Sequence, residues 1–305
     1  MIDLLPVGVH YDVPESVYRA DPGFNQSALI KFMQADSPLH YKEQAEEDQT
    51  ELRQKDFIRM GNYVDCAITR PELLDSKFVI APATYPSTAK KVTVEKPWTW
   101  QANFCKEWRA EVIESKKDYL SAEELERAKA TVAAIMAHQD ASQFVSISKR
   151  QVVVIAEHPV TGHRMKCMLD LYPPESTGCL VDLKTGASAG RAHMLRVALS
   201  KRRDIQAAFY MDTVYFATDR KTDRFVFIMA ETEKPHGVKV YCYNREENNE
   251  VPKEIAKARK DYQAAMAKLA NCIEMNSWPG FNNDWEVIRH PGWAMRDEVT
   301  PDILV

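Results

Sequence analysis

The chain has 305 residues, 45% of them hydrophobic and 28% charged, enough to bury a sizeable core as one large domain or two small ones. Its formal net charge of -4 excludes a uniformly basic nucleic-acid binder, so any DNA site must be a local basic groove. Six scattered cysteines, with no C-x-x-C pair and no histidine at zinc-finger spacing, exclude a disulfide framework and a structural zinc.

From the start, MIDLLPVGVHYDVPE lacks the basic-then-apolar layout of a signal peptide, and no later run approaches the roughly 18 to 20 apolar residues of a membrane span. A cytoplasmic protein without membrane contact is expected. Leu29, Phe32 and Met33, behind Asn25 and Ser27, have helical spacing that ends near Ser37-Pro38. A second helix is predicted over Phe57 to Thr69, and Ala81 to Pro97, rich in Pro, Thr, Ser and Lys, reads as a long loop. The capping box Ser121-Ala-Glu-Glu124 opens a helix to about His138.

From Gln151 the period changes to two. QVVVIAE, HRMKCMLDLY and GCLVDLKT, broken at Pro159 to Gly162 and Pro173 to Gly178, predict a three-strand meander. Helical spacing returns over residues 187 to 217; RFVFIMAE and GVKVYCY follow as strands, and Glu246 to Ile273 as a charged amphipathic helix. Without repeats or a clean linker, the economical reading is a single α/β domain over 1–305. It divides into a helical N-terminal portion of about 1–145, a sheet-and-helix core of about 146–275 and a tail of 276–305.

The segment LVDLKTG poses a charge problem in an apolar strand. A turn centred near Ser176 sets Asp170 opposite Asp182, and strand alternation puts Lys184 on the same face. One ammonium only partly neutralises two carboxylates. A hard divalent ion, Mg2+ or Mn2+, does so better. The same test removes Glu157, which pairs near Arg164, roughly 20 Å along the strand from Asp170. Gln206 and Tyr210, four apart on one helical face behind Arg202 and Arg203, are placed to position a substrate or a water. A structural ion-pair network is the competing reading of the charged set.

The ordered set Asp170, Asp182-Leu-Lys184 and Gln206-x-x-x-Tyr210 resembles the PD-(D/E)xK nuclease superfamily in its RecB-like branch with the Q-x-x-x-Y element. The chain is similar, within that branch, to RecE-type (exonuclease VIII) nuclease domains. DPGFNQSAL, MGNYVDCAITRPE, HPVTGHRMKCMLD, VDLKT, QAAFYMD, NSWP and PGWA carry the likeness over about Asp21 to Trp293. The resemblance implies a restriction-endonuclease-like core, a mixed central sheet flanked by helices. It implies a Mg2+-dependent exonuclease acting on linear double-stranded DNA ends, 5′ to 3′. The 3′ single strand left behind serves an annealing protein of the RecT kind in phage or prophage recombination. It further implies a homo-oligomeric ring, with a tetramer favoured.

Carried over residue by residue, Asp170, Asp182 and the Leu183 carbonyl become metal ligands, and Lys184 orients or helps deprotonate the attacking water. One position departs from the pattern: Asp65, four after Gly61, stands where the family has a metal-binding histidine. Aspartate is also a hard oxygen ligand, and the substitution leaves open a weakened or silent DNA-binding module of the same fold. Iron-sulfur relatives hold their cluster with one early and three late cysteines, whereas only Cys242 and Cys272 lie late here. Lys201, Arg202 and Arg203 are candidate phosphate contacts, with Lys90 and Lys91 behind them. The tryptophans, which stack on bases in some single-strand binders, read better as packing.

Overall fold

The apolar runs of the meander form the middle of a six-stranded sheet in a computed structural model, which describes residues 4–46, 56–89, 92–244, 250–282, 284–285 and 287–289. In chain order the elements are β1 (Gly8–His10), α1 (Glu15–Ala20), α2 (Gln26–Gln34), α3 (Pro38–Glu46), α4 (Asp56–Thr69), α5 (Leu74–Lys77), β2 (Phe78–Ile80), β3 (Thr84–Ala89) and β4 (Val92–Pro97). There follow α6 (Asn103–Glu114), β5 (Asp118–Leu120), α7 (Ala122–Ala137), α8 (Gln139–Ile147), β6 (Lys149–Glu157), β7 (Arg164–Tyr172) and β8 (Cys179–Gly186). The chain continues through α9 (Arg191–Ser200), α10 (Arg203–Thr218), β9 (Arg224–Glu231), β10 (Val238–Asn244) and α11 (Lys253–Glu274).

The strands stand in the order β1-β6-β7-β8-β9-β10. All neighbours are antiparallel except β8 and β9, which are parallel and joined by the α9–α10 crossover that a parallel connection requires. Helices cover both faces. Val152, Val154, Met165, Cys167, Leu169 and Leu180 pack with residues of α2, α10 and α11. Cys179, Val181, Leu183, Val226 and Ile228 pack with residues of α4, α7 and α8. The period-two alternation of β8 is what distributes Leu180 and its neighbours Cys179 and Val181 between the two layers. Helix α10 is buried continuously from Ile205 to Val214, as expected of a helix enclosed by sheet and helices together.

The turn that sets the register is a 3-10 turn over Glu175–Thr177, closed by Gly178 at φ 62°. That left-handed conformation is open to glycine without steric cost. It leaves Leu171 paired with Val181, while Glu157 pairs with Arg164, as the turn positions predict. The capping box is present at Ser121 and Glu124, and α7 ends at Ala137.

Two expectations need correction. The stretch read as a loop over Ala81 to Pro97 contains a hairpin, in which β3 pairs with β4 from Thr84↔Pro97 to Ala89↔Val92. The alternation in VTVEKP was its signal, outweighed by the Pro and Ser around it. The N-terminal portion is also less purely helical than its sequence suggests, because it gives β1 to the main sheet and pairs β2 with β5 in parallel. Lys90, Lys91 and Trp293 lie outside the described residues. Among the described residues no helix is long and apolar enough to cross a membrane.

Candidate active site

The sequence sets a carboxylate on each of two neighbouring strands. The β7–β8 pairing ends at Leu171↔Val181, which leaves Asp170 and Asp182 as the next residues on the two strands, near enough for the Asp182 charge to act on Asp170. There a side chain takes the place of a strand partner: Oδ2 of Asp170 accepts the Leu183 N–H at 3.0 Å. Asp182, 3% exposed, is held at both oxygens. Gln206, from the buried face of α10, donates its Nε2 to Oδ1 at 2.6 Å, and the Lys184 ammonium lies 2.5 Å from Oδ2. That ammonium is in ion-pair contact rather than bonding geometry, so Oδ2 is a buried carboxylate oxygen with no hydrogen-bond donor aligned to it. Such an atom is uncommon in a folded interior, and its compensating charge here is the Lys184 ammonium.

Asp65 arrives from α4 on the other side. The helix can approach β8 because residue 61 is glycine; a Cβ there would come within 2.8 Å of Thr185 Oγ1. One turn later the same face carries Asp65. Asp65 and Asp170 line a cleft of about 520 Å³ together with Thr69, Gln151, Arg19 and Lys77. Burial first, then the Asp182 and Asp65 carboxylates, push the Asp170 carboxyl well above its ordinary range, against Lys184 and the Leu183 amide. Burial first, and then Asp182 and Glu15, push Asp65 up to about 6, while Lys184 and Lys77 oppose the shift. Desolvation is the larger cause in both, and like charges packed with too few cations add to it.

Of the sequence candidates, Asp65, Asp170, Asp182, Lys184, Gln206 and the Leu183 backbone are brought together here. Tyr210, one turn beyond Gln206, is 7% exposed and packs edge-on against Phe225. Burial pushes its hydroxyl well above the ordinary range, with smaller contributions that include Asp182 and Asp170. Arg203 donates to Gln206 Oε1 at 3.0 Å and so completes a chain from guanidinium to amide to carboxylate. Arg202 is committed elsewhere, to Asp204 at 2.8 Å and Asp261 at 2.7 Å, and Lys201 is exposed at the end of α9.

The sequence reading missed the charges of the cleft wall. The pair Glu15 and Arg19 on α1 meets Arg70, Lys77 and Lys116 from other segments of the chain, and no local spacing connects these groups. It also missed the anchor under α1. Asp21 is clamped by Arg164, with Nε at 3.0 Å and Nη2 at 2.5 Å, and by the Gly23 N–H at 2.9 Å. The DPGF motif was the available signal, because Phe24 bridges to Met165 on β7 directly beside this clamp.

A donor set of carboxylates with a backbone carbonyl nearby suits a hard divalent ion, which usually takes one or two carboxylates and keeps waters in its other positions. Among the described residues no three His, Cys, Asp or Glu side chains form a ready-made metal cage. The fit is therefore to such a partly hydrated ion, through Asp170 and Asp182 with Asp65 on the cleft side.

Comparison with known proteins agrees with this architecture. A family described as "PDDEXK-like domain of unknown function (DUF3799)" matches residues 26–291. The crystal structure of a Eubacterium rectale protein described as "Putative exonuclease" is similar at TM-score 0.59 and 16% identity, over 95% of this chain and 100% of that one. At that identity the likeness speaks for the fold alone. An alkaline exonuclease from Laribacter hongkongensis matches 57% of this chain and 84% of its own at 15% identity and TM-score 0.29, too distant to carry an argument. No curated protein matches the sequence.

Proposed function

Because this chain belongs to the PDDEXK-like family that spans residues 26–291, we propose that it is a metal-dependent exonuclease acting on linear double-stranded DNA. The observation that carries the reading is the fixed state of Asp182, gripped by Gln206 and Lys184 where the strand pairing brings Asp170 within reach of its charge. A divalent cation, Mg2+ or Mn2+, held there would polarise a phosphodiester and lower the pKa of a water.

The chain's own residues supply the rest. Asp170 and Asp182 provide carboxylate oxygens, with the Leu183 carbonyl and Asp65 as further ligands. Arg203 holds the Gln206 amide, and the amide holds Asp182 in one rotamer, so the carboxylate does not have to reorganise. Lys184 is the partly exposed cation of the group, its side chain 23% exposed. It orients or helps deprotonate the attacking water and offsets charge that develops on the phosphate. Digestion runs 5′ to 3′ and leaves a 3′ strand for an annealing protein of the RecT kind, in phage or prophage recombination. The active form is a homo-oligomeric ring, a tetramer, threaded by DNA.

One observation favours a second reading, a weakened or silent DNA-binding module: no ready-made cage of three His, Cys, Asp or Glu side chains stands among the described residues, and Asp65 replaces the histidine of related nucleases. Linear and covalently closed duplex DNA, each with Mg2+ or Mn2+, decide between them. Release of nucleotides from the linear form alone, lost in Asp182→Ala, is the expected result. DNA binding without release under either ion supports the silent module. Asp65→His retaining or raising activity while Asp65→Ala loses it places residue 65 among the ligands; Asp65→Ala behaving as wild type removes it.

A further inference from the structure

The cleft carries a second charged layer beside its carboxylates, built by α1 and the end of α5. Glu15 and Arg19 lie one turn apart and share a helix face. Arg19 donates to Glu15 Oε1 through Nε at 2.9 Å and Nη2 at 2.5 Å, and Lys77 meets Glu15 Oε2 at 3.3 Å. One carboxylate thus bridges a guanidinium and an ammonium that come from different helices. All three side chains line the cleft, and Glu15 and Lys77 both act electrostatically on Asp65.

The side-chain contacts of this triad are of the ordinary surface kind; what sets it apart is the backbone beneath. The side chains are 63%, 47% and 45% exposed for Arg19, Glu15 and Lys77, so the contacts add little to stability, as is typical of exposed pairs. The backbone beneath is nevertheless held firmly. The Lys166 ammonium donates to the carbonyls of Tyr18, at 2.9 Å, and of Arg19 and Asp21, and Arg164 clamps the Asp21 carboxylate. Both cations of that anchor stand on β7, the strand that carries Asp170. The strand that carries Asp170 therefore also anchors the backbone from which Arg19 reaches the cleft lining.

Resting on the nuclease reading above, we propose that Arg19 and Lys77 form a seat for a phosphate group of the bound DNA strand, and that Glu15 is a resident stand-in anion which the phosphate displaces. Two carboxylate oxygens shared between a guanidinium and an ammonium mimic two non-bridging phosphate oxygens, and charge-assisted contacts of this type recognise phosphate. Arg70 and Lys116 on the same lining supply further positive charge. Glu15 then acts twice: it keeps both cations in position in the empty cleft, and it competes with the strand for them, which limits how tightly the strand is retained.

The test uses the full chain with two probes, inorganic phosphate and a labelled linear duplex, both without divalent ion at low salt. Glu15→Gln is expected to bind each on the order of tenfold more tightly than wild type, since two exposed pairs are released. Adding Arg19→Gln or Lys77→Gln should remove that gain. In the native background Arg19→Gln and Lys77→Gln should each weaken phosphate binding, a measurement that stands even if Glu15→Gln does not fold. Phosphate affinity unchanged in all these variants overturns the seat. Tighter phosphate binding with unchanged DNA binding overturns its assignment to the strand and gives the seat to free phosphate. Hydrolysis by wild type is followed in parallel with Mg2+; its absence beside an intact phosphate response removes the nuclease reading and keeps the seat.

Discussion

Replacing Asp65 by asparagine tests the crowding of carboxylates around Asp170. In the folded chain the Asp65 carboxyl is pushed from 3.8 up to about 6, chiefly by burial and then by Asp182. A difference of that size corresponds to on the order of 3 kcal/mol, from about 1.4 kcal/mol for each tenfold change in proton affinity. The sign follows from proton counting. Between pH 3.8 and 6 the folded protein holds a proton that the unfolded chain has lost, so stability falls as pH rises through this window. Below it wild type and Asp65→Asn pay no difference, and above about pH 7 the full penalty rests on wild type alone. Thermal melts in EDTA across pH 4.5 to 8 should show Asp65→Asn gaining steadily, then levelling about 5 °C above wild type, from an unfolding entropy of about 2.1 cal/mol/K per residue. Saturating Mg2+ or Mn2+ should close most of the gap at pH 8 by stabilising wild type more. Parallel melting curves for the two proteins in EDTA would refute the argument, because the three carboxylates would then not share one electrostatic environment.

Other perturbations follow from the same geometry. Lys184→Ala should lower hydrolysis roughly 10²- to 10³-fold, the loss typical of one transition-state stabiliser, and should also lower the melting temperature, because it leaves the buried Asp182 oxygen without its cation. Gly61→Ala should cost about 1 to 3 kcal/mol in denaturant titrations by pressing its new Cβ on Thr185 Oγ1, and Thr185→Ala in the same chain should restore much of it. A double-mutant cycle with no coupling would show that α4 does not rest on β8 at that point. Arg164→Ala should be the most damaging, at about 3 to 5 kcal/mol, because it strips the main partner from an Asp21 side chain only 2% exposed.

Local signals were legible wherever physics is local. Turn positions fixed the meander, so Glu157↔Arg164 and Leu171↔Val181 were readable from proline and glycine alone. The same turn brought Asp170 near Asp182. The capping box at Ser121 was equally plain, because its partners are three residues apart. Glu124 shows the limit: its other oxygen takes a buried bond from Arg59 at 2.9 Å, sixty-five positions away, and no periodicity encodes that. The hairpin over 84–97 was hidden by composition. Its side chains on β4 are all exposed, so the short alternation of VTVEKP packs against nothing and stays weaker than the Pro, Thr, Ser and Lys composition around it. Arg203 reads with its neighbours as a candidate phosphate contact, and its own part, the bond to Gln206 that separates it from Arg202, was not legible in the basic run.

The three residues of β1 have an effect out of proportion to their length. They pair with Val153, Val154 and Ile155, the centre of an apolar strand that would otherwise offer a bare outer rim of amide and carbonyl groups. An unguarded run such as Val152 to Ala156 is the sort of segment that recruits extended chains from neighbouring molecules. Shortening the chain to begin after His10 should therefore show itself first as clumping and poor recovery of material, before any defect in chemistry can be measured.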